Sequence, residues 1–431
     1  MKQIFIIILL LVTGVAFSQP PVPGKAQSSP IVLKGGTIHI GNGQVIQNGS
    51  LVFENGKITE VGASVTTPAG AEVIDVTGKQ IYPGLILPNT TIGLVEVGAV
   101  RATRDYAEVG EINPNVRSLI AYNTDSELIA VTRSNGILLV QATPESGIIA
   151  GSSSIMQLDA WNWEDAAYRI DDGIHMNWPR MFRAGGFFSE NPGEIQKNEN
   201  RPKTIAALEM TFTDALGYSK NPMPDVKNLK MEAMKGLFDG SKNLYIHADY
   251  GKEIIEAVKF AQKYGVKKIV IVGGEESHLA ADFLKENNIP VLINSLHRLP
   301  NRAGDDVDLA FKLPYLLKQA GVLVGLTYSG GSQEYSSARN LPFLAGNSVA
   351  HGLTKEEALQ TVTANTAKIL GIDDKTGTLE KGKDANIVVS EGDLLDMKSS
   401  VVTQAFIQGR KLVLDDRHKK LYKRFSEKYG K

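Results

Sequence analysis

From Asn243 to Tyr328 short apolar runs alternate with segments of helical period, and no other stretch limits the fold of this chain so strongly. Leu244-Tyr245-Ile246 precedes residues 253–264, where Ile254, Ile255, Ala257, Val258 and Ala261 recur on one face and Gly265 stands just past the end. Strand-like Lys268–Val272, helical His278–Glu286, strand-like Val291–Ile293, helical Val307–Gln319 and strand-like Val322–Leu326 continue the alternation. Strand, helix and strand at this spacing build a parallel sheet with right-handed crossovers. Periodicity by itself fits an open doubly wound sheet and a closed barrel equally well.

A different texture flanks this α/β region. Between Ile31 and Ile81 short alternating runs are separated by glycine and asparagine, and Asn55-Gly56 is a strong signal for a tight hairpin turn. After two helical segments, Leu341–His351 and Lys355–Leu370, strand-like runs return at Ala385–Val389, Val401–Ile407 and Lys411–Leu414. Both chain ends therefore supply strands to one small β-sandwich, with the parallel unit inserted between them. The length of 431 residues also favours two domains.

The first residues carry one charge at Lys2, an apolar run from Ile4 to Val12, and small residues at Ala16 and Ser18. This is the pattern of a secretory signal peptide cleaved after Ser18, so the chain is expected to be exported, periplasmic or secreted. Residues 19–30 are polar and proline-rich with no second hydrophobic block, so no membrane attachment is expected after processing. The expected organisation is a signal peptide at 1–18, a linker at 19–30, sandwich strands at 31–83 and 376–416, the parallel unit at 84–375, and a helical tail at 417–431. Absence of cysteine excludes disulfides and a cysteine-linked lipid anchor, so the core relies on burial alone. The 46 basic and 47 acidic residues nearly cancel; the one basic run, Arg417 to Lys431, reads as a solvated terminal helix, and nucleic acid is not an expected partner.

Three separated segments resemble the metal-dependent amidohydrolases close to imidazolonepropionase-like enzymes. Asp75-Val76-Thr77-Gly78-Lys79 leading to Tyr82-Pro83-Gly84-Leu85-Ile86 is similar to that family's passage from sandwich to first barrel strand. Gly352-Leu353-Thr354, Glu357-Ala358-Leu359 and the run from Thr363 to Gly371 resemble its last barrel helices. The segment from Gly377 to Asn386 resembles its return into the sandwich. The resemblance implies a TIM-like (β/α)8 barrel beside a β-sandwich built from both chain ends.

It also implies a metal site whose ligands are mostly replaced here. Relatives carry a His-x-His pair after the first strand, a histidine on the sixth strand and an aspartate after the last. These positions hold Asn89, Thr91, Gly273 and Tyr328, and only His247, in Ile246-His247-Ala248-Asp249, matches a ligand position. Catalytic zinc normally takes three protein ligands, so the expected cofactor is none or a weakly bound divalent metal, zinc if any.

His247, Asp249, Glu275, His278 and His297 fall at or just beyond the ends of three successive strands, the face where barrel enzymes keep their active sites, and are the candidate catalytic residues. They serve as a relocated metal site or as separate polar groups around a pocket. Arg104-Asp105-Tyr106 with Glu108 and Glu111 forms a loop above the same mouth, able to read a cationic or peptide-like substrate or simply solvated. Trp161, Trp163 and Trp178, with His175, line a pocket or interface, or are buried in a long insertion. Gly147 to Ser154 lacks the lysine of a phosphate loop and reads as a close backbone turn at a strand end. Ser329-Gly330-Gly331-Ser332 reads as a flexible loop.

Two functions follow from these readings. One is a hydrolase acting on an amide, cyclic amide or dipeptide carbon–nitrogen bond with an atypical site around His247. The other is an inactive subunit that binds a small-molecule or peptide-like ligand, in a homo-oligomer or paired with an intact relative.

Overall fold

Asn55 and Gly56 both adopt positive φ, 51° and 78°, and turn the chain between the two strands of a hairpin. The computed structural model describes residues 22–184, 194–221, 226–294, 296–302, 304–329 and 334–430. The expected signal peptide, the start of the linker and Gly330 to Ser332 lie outside the described residues.

The hairpin joins β2 (Val45–Glu54) to β3 (Lys57–Gly62) within a sheet that also holds β1 (Ile31–His39), β4 (Glu72–Asp75) and β5 (Gln80–Pro83). Near the other end of the chain, β16 (Ile387–Ser390), β17 (Val402–Ile407) and β18 (Arg410–Lys411) complete it. The junction is the antiparallel pair β5–β16, with Ile81 opposite Val389. Alternate residues from both ends meet in one core that includes Leu33, Leu51, Phe53, Ile81, Ile387 and Phe406. Phe53 and Phe406 meet edge to face at 5.0 Å, so each end of the chain supplies half of an aromatic contact.

The inserted region forms a second eight-stranded sheet. Its strands are β6 (Leu85–Thr90), β7 (Ile137–Ala142), β8 (Ile149–Gln157) and β9 (Ala167–Asn177), then β12 (Asn243–Ala248), β13 (Ile269–Gly273), β14 (Val291–Ile293) and β15 (Val324–Leu326). A small hairpin of β10 (Phe182–Ala184) and β11 (Ile195–Lys197) projects between β9 and β12. Thr327 Oγ1, just past β15, donates to the carbonyl of Pro88 in β6 at 2.6 Å, which draws the two edge strands together. The result is a TIM-like barrel. Ile86, Leu139, Ile155, Tyr245, Val270, Val272 and Leu292 fill its inside, and the alternate residues pack outward against the helices. Burial on both faces explains why the later strands read as continuous apolar runs.

One strand departs from the expected repeat. β8 runs antiparallel to both β7 and β9. Only residues 143–148 separate β7 from β8, too few for the crossover that a parallel strand requires, so the chain doubles back. Most of the segment from Gly147 to Ser154, expected as a turn, is buried strand: the glycine at 151 lies with φ +142°, where a Cβ would sit 2.7 Å from the Val116 carbonyl. The helix expected over Lys355–Leu370 divides into Lys355–Thr361 and Ala364–Leu370 because Thr363 leaves the helical region. No helix among the described residues is long and apolar enough to cross a membrane.

Two polar contacts lock sandwich to barrel. Arg410 of β18 donates to Gln157 and to the carbonyl of Asp159, whose carboxylate is held within the barrel region by buried Arg133, which donates through Nη1 to Asp159 at 2.9 Å and to the Leu158 carbonyl at 3.0 Å. His39 of β1 stacks on Tyr82 and places Nδ1 2.6 Å from Glu356 on the barrel helix Lys355–Thr361.

Candidate active site

Parallel pairing of β9 with β12 sets Tyr245 opposite His175 and His247 opposite Asn177. Side chains two apart on a strand share a face, so Tyr245 and His247 both point into the barrel. The His175 ring lies on Tyr245 with centroids 4.6 Å apart and planes 15° from parallel. Its Nδ1 is 2.9 Å from His247 Nε2, one ring donating to the other. Burial holds both imidazoles below their usual range: His175 far below, with His247 adding to the effect, and His247 down to about 4. Both are neutral at neutral pH. His175 Nε2 is buried with no hydrogen-bond partner among the described residues.

Beneath the pair lies Asp172, which accepts from Tyr245 Oη at 2.7 Å, Gln141 Nε2 at 2.8 Å and Ser153 Oγ at 2.8 Å. Burial raises this carboxyl above its ordinary value, and the three donors pull against that rise. Strands β7, β8, β9 and β12 each contribute one member, so this cluster ties together the region where the strand repeat is broken.

Above the pair, at the barrel mouth, His247 and Asp249 line a cavity of about 210 Å³ with Asn177, Arg180, Glu253 and Asn294. Arg180 Nη2 donates to Asp249 Oδ2 at 2.7 Å. Burial, and then the charge of Glu275, push the Asp249 carboxyl up to about 6 against the pull of Arg180 and Arg298. Gly273 adjoins it with φ +98°, and a Cβ there would stand 2.3 Å from Asp249 Oδ1. The carboxylate occupies the space a side chain at 273 would need.

Asn89, Thr91 and Tyr328 share a second, smaller cavity with Tyr106, Glu145 and Ser329. Asn89 Nδ2 donates to Ser329 Oγ, which donates to Asn294 Oδ1, each at 2.8 Å. This string runs from the wall of one cavity to the wall of the other. Of the loop containing Arg104, Tyr106 reaches the mouth, whereas Glu108 and Glu111 are exposed. Trp178 is buried against Phe260 and helps line the larger cavity, but Trp161 is 65% exposed.

The candidate residues thus divide. His247 and Asp249 come together, and Glu275, 3.5 Å from Arg298, is close enough to act on Asp249. His278 sits on the turn Ser277–Ala280 among Asp305, Glu276 and Arg302, and its pKa is lowered by burial. His297 lies 2.7 Å from Asn347 Nδ2 and edge-on to Phe311, in a separate cavity that it shares with Tyr328. The three histidines expected at the mouth do not gather: His247 lines the mouth cavity, His278 lies on the turn after β13, and His297 lines a different cavity. His247 meets His175 instead. Sequence reading placed His175 only within an aromatic stretch and missed Asp172, Glu145 and Asn294; the one available signal was the strand pattern of residues 167–177, which puts His175 on a strand.

The Amidohydrolase family model matches residues 232–412. The solved structure of an amidohydrolase from Thermotoga maritima MSB8 superposes with a TM-score of 0.78 at 26% identity, over 89% of this chain and 99% of that one. The chain belongs to the amidohydrolase superfamily. An imidazolonepropionase of Mesorhizobium japonicum is 25% identical over 370 residues, 80% of this chain and 87% of that protein. A 5'-deoxyadenosine deaminase of Methanobrevibacter smithii is 21% identical over 376 residues, 81% of each.

For a zinc ion of the kind the superfamily implies, the residues of this amidohydrolase-superfamily protein do not fit. Three ligands are needed, and the matched His247 presents Nε2 to another imidazole. Asn89 is engaged by Ser329, and position 273 has no side chain and no room for one. Among the described residues no three of His, Asp and Glu gather as an ion would require.

Proposed function

We propose that this chain acts on the carbon–nitrogen bond of a small amide, cyclic amide or dipeptide-like substrate, at a degenerate superfamily site centred on Asp249 and His247. The observation that carries this reading is the pair on one wall of the mouth cavity, with Arg180 held on Asp249. A carboxylate and a neutral imidazole at one cavity provide acid–base groups. Asp249 accepts a proton from the water that attacks the carbonyl carbon and passes it to the leaving nitrogen. When His175 donates to His247 Nε2, His247 keeps its Nδ1 proton to donate to the carbonyl oxygen; this tautomer is an assignment from the hydrogen-bond network. Export to the periplasm or medium is part of the proposal, to be checked by cell fractionation.

The test uses the processed chain, dialysed against a chelator, on a panel of N-acyl amino acids, cyclic amides and dipeptides. Turnover that survives chelation and falls at least about a hundredfold in Asp249→Asn and His247→Ala, with both variants folded, supports it. Elemental analysis is expected to find well under one zinc per chain, and one tightly held ion overturns the degenerate-site reading.

A second reading is a binding or partner subunit that pairs with an intact relative. It is favoured by the way His247 and Asn89 spend polar atoms on His175 and Ser329. Ligand binding by calorimetry without turnover, together with co-purification of an intact relative, selects this reading over the first.

A further inference from the structure

We infer that the C-terminal helix, Arg417–Tyr429, docks the protein onto an anionic lipid surface. Asp416 caps this helix through the Lys419 amide and accepts from Ser134 Oγ at 2.8 Å, which roots the first turn on the barrel. Beyond that root no residue of the helix is buried. Leu421, Phe425 and Tyr429 follow at four-residue steps, and Tyr422 lies beside them, so four large apolar side chains share one face. Tyr422 and Tyr429 are 76% and 67% exposed, far more than large rings show when they pack on their own domain.

The rest of the helix surface is basic, from the edge of that face round to its back. Lys419 and Lys420 pair locally with Asp416 and Asp415. Arg417, Lys423, Arg424 and Lys428 are exposed and form no ion pair among the described residues, and Glu427 is the one acid on the helix. The chain as a whole is almost neutral, so this local excess is a placed charge rather than a general one.

An aromatic and aliphatic face flanked by unpaired Lys and Arg is the arrangement of a helix lying in a membrane interface. The apolar face enters the headgroup boundary. Arg417, one turn before Leu421, and Lys428, two turns after it, lie beside the apolar face, extend their stems along it and set their charges among phosphates. Negative charge on the bilayer complements these four cations, two of which, Arg424 and Lys428, also lie over the rings of Phe425 and Tyr429, and each adds to the attraction. This departs from the solvated tail expected from sequence, and it is independent of the reading of the barrel mouth.

The test is co-sedimentation of the processed full chain with vesicles of phosphatidylglycerol and phosphatidylcholine, or of phosphatidylcholine alone. Binding to the anionic vesicles is expected to be at least roughly tenfold tighter, and to fall at least about tenfold in Lys423→Glu/Arg424→Glu. Leu421→Glu/Phe425→Glu is expected to abolish it while thermal unfolding stays at the wild-type temperature, since neither side chain is buried. Equal binding to both vesicle types, binding unaffected by the paired variants, or no binding overturns the inference. A helix-dependent dimer in gel filtration, abolished by Phe425→Glu while vesicles remain unbound, assigns the face to a second copy instead and also overturns it.

Discussion

Replacing Tyr245 with Phe removes one oxygen from the barrel interior and leaves the ring on His175. That oxygen donates to Asp172 at 2.7 Å and accepts from Asn243 at 2.9 Å. A hydrogen bond to a charged group contributes about 1.5–3 kcal/mol net, and a buried acceptor left short of a donor costs in the same range. Asn243 retains the Ile369 carbonyl at 3.1 Å, so its loss adds little. The expected cost is therefore about 2–3 kcal/mol, read as a lower urea midpoint with an unchanged slope by far-ultraviolet circular dichroism. Asp172→Asn and the double variant complete a mutant cycle, whose coupling is expected near 1–2 kcal/mol because the two groups are in contact. A Tyr245→Phe shift below about 0.5 kcal/mol, or zero coupling, would refute the claim that this hydroxyl satisfies the buried carboxylate.

Two further outcomes concern the joint between sandwich and barrel and the buried pair beside it. Burial lowers the His39 pKa, but the bonds to Glu356 and Gln80 outweigh it and the net value lies above the ordinary 6.5. Its stabilisation is thus fully present below about pH 6.5 and is lost as pH rises through the raised folded value. Thermal unfolding of His39→Gln should differ from wild type most on the acid side of that window, and a difference that grows with pH would contradict the assignment. Arg133→Met strands the buried Asp159 carboxylate and should cost about 3–5 kcal/mol in urea unfolding. A cost under about 1 kcal/mol would show that Arg410 alone compensates Asp159.

What was legible in the sequence had a local signature. The helix of residues 253–264 and the strands on either side announced themselves by period, and the structure places a helix at Gly251–Lys263 between β12 and β13. Asn55-Gly56 fixed its hairpin through backbone conformations that few other residues tolerate. The reversal of β8 was hidden because its buried run, rich in Gly and Ser, resembles a turn in composition; the short gap after Ala142 was the clue. The histidine pair was invisible for a different reason. His175 and His247 meet through strand register, and register is set by contacts between segments that sequence shows only one at a time. His278 and His297 occupied the expected strand ends, yet strand ends do not determine where the following loop aims a side chain.

The pairing of Ile81 with Val389 has a consequence for how the molecule is made. β5 emerges during synthesis with one edge unsatisfied, and the strand that covers it is translated only after all the barrel strands. The early strands must wait, exposed, until the whole barrel has been delivered. A stop codon anywhere before β16 would therefore strand the beginning of the protein as well as removing its end.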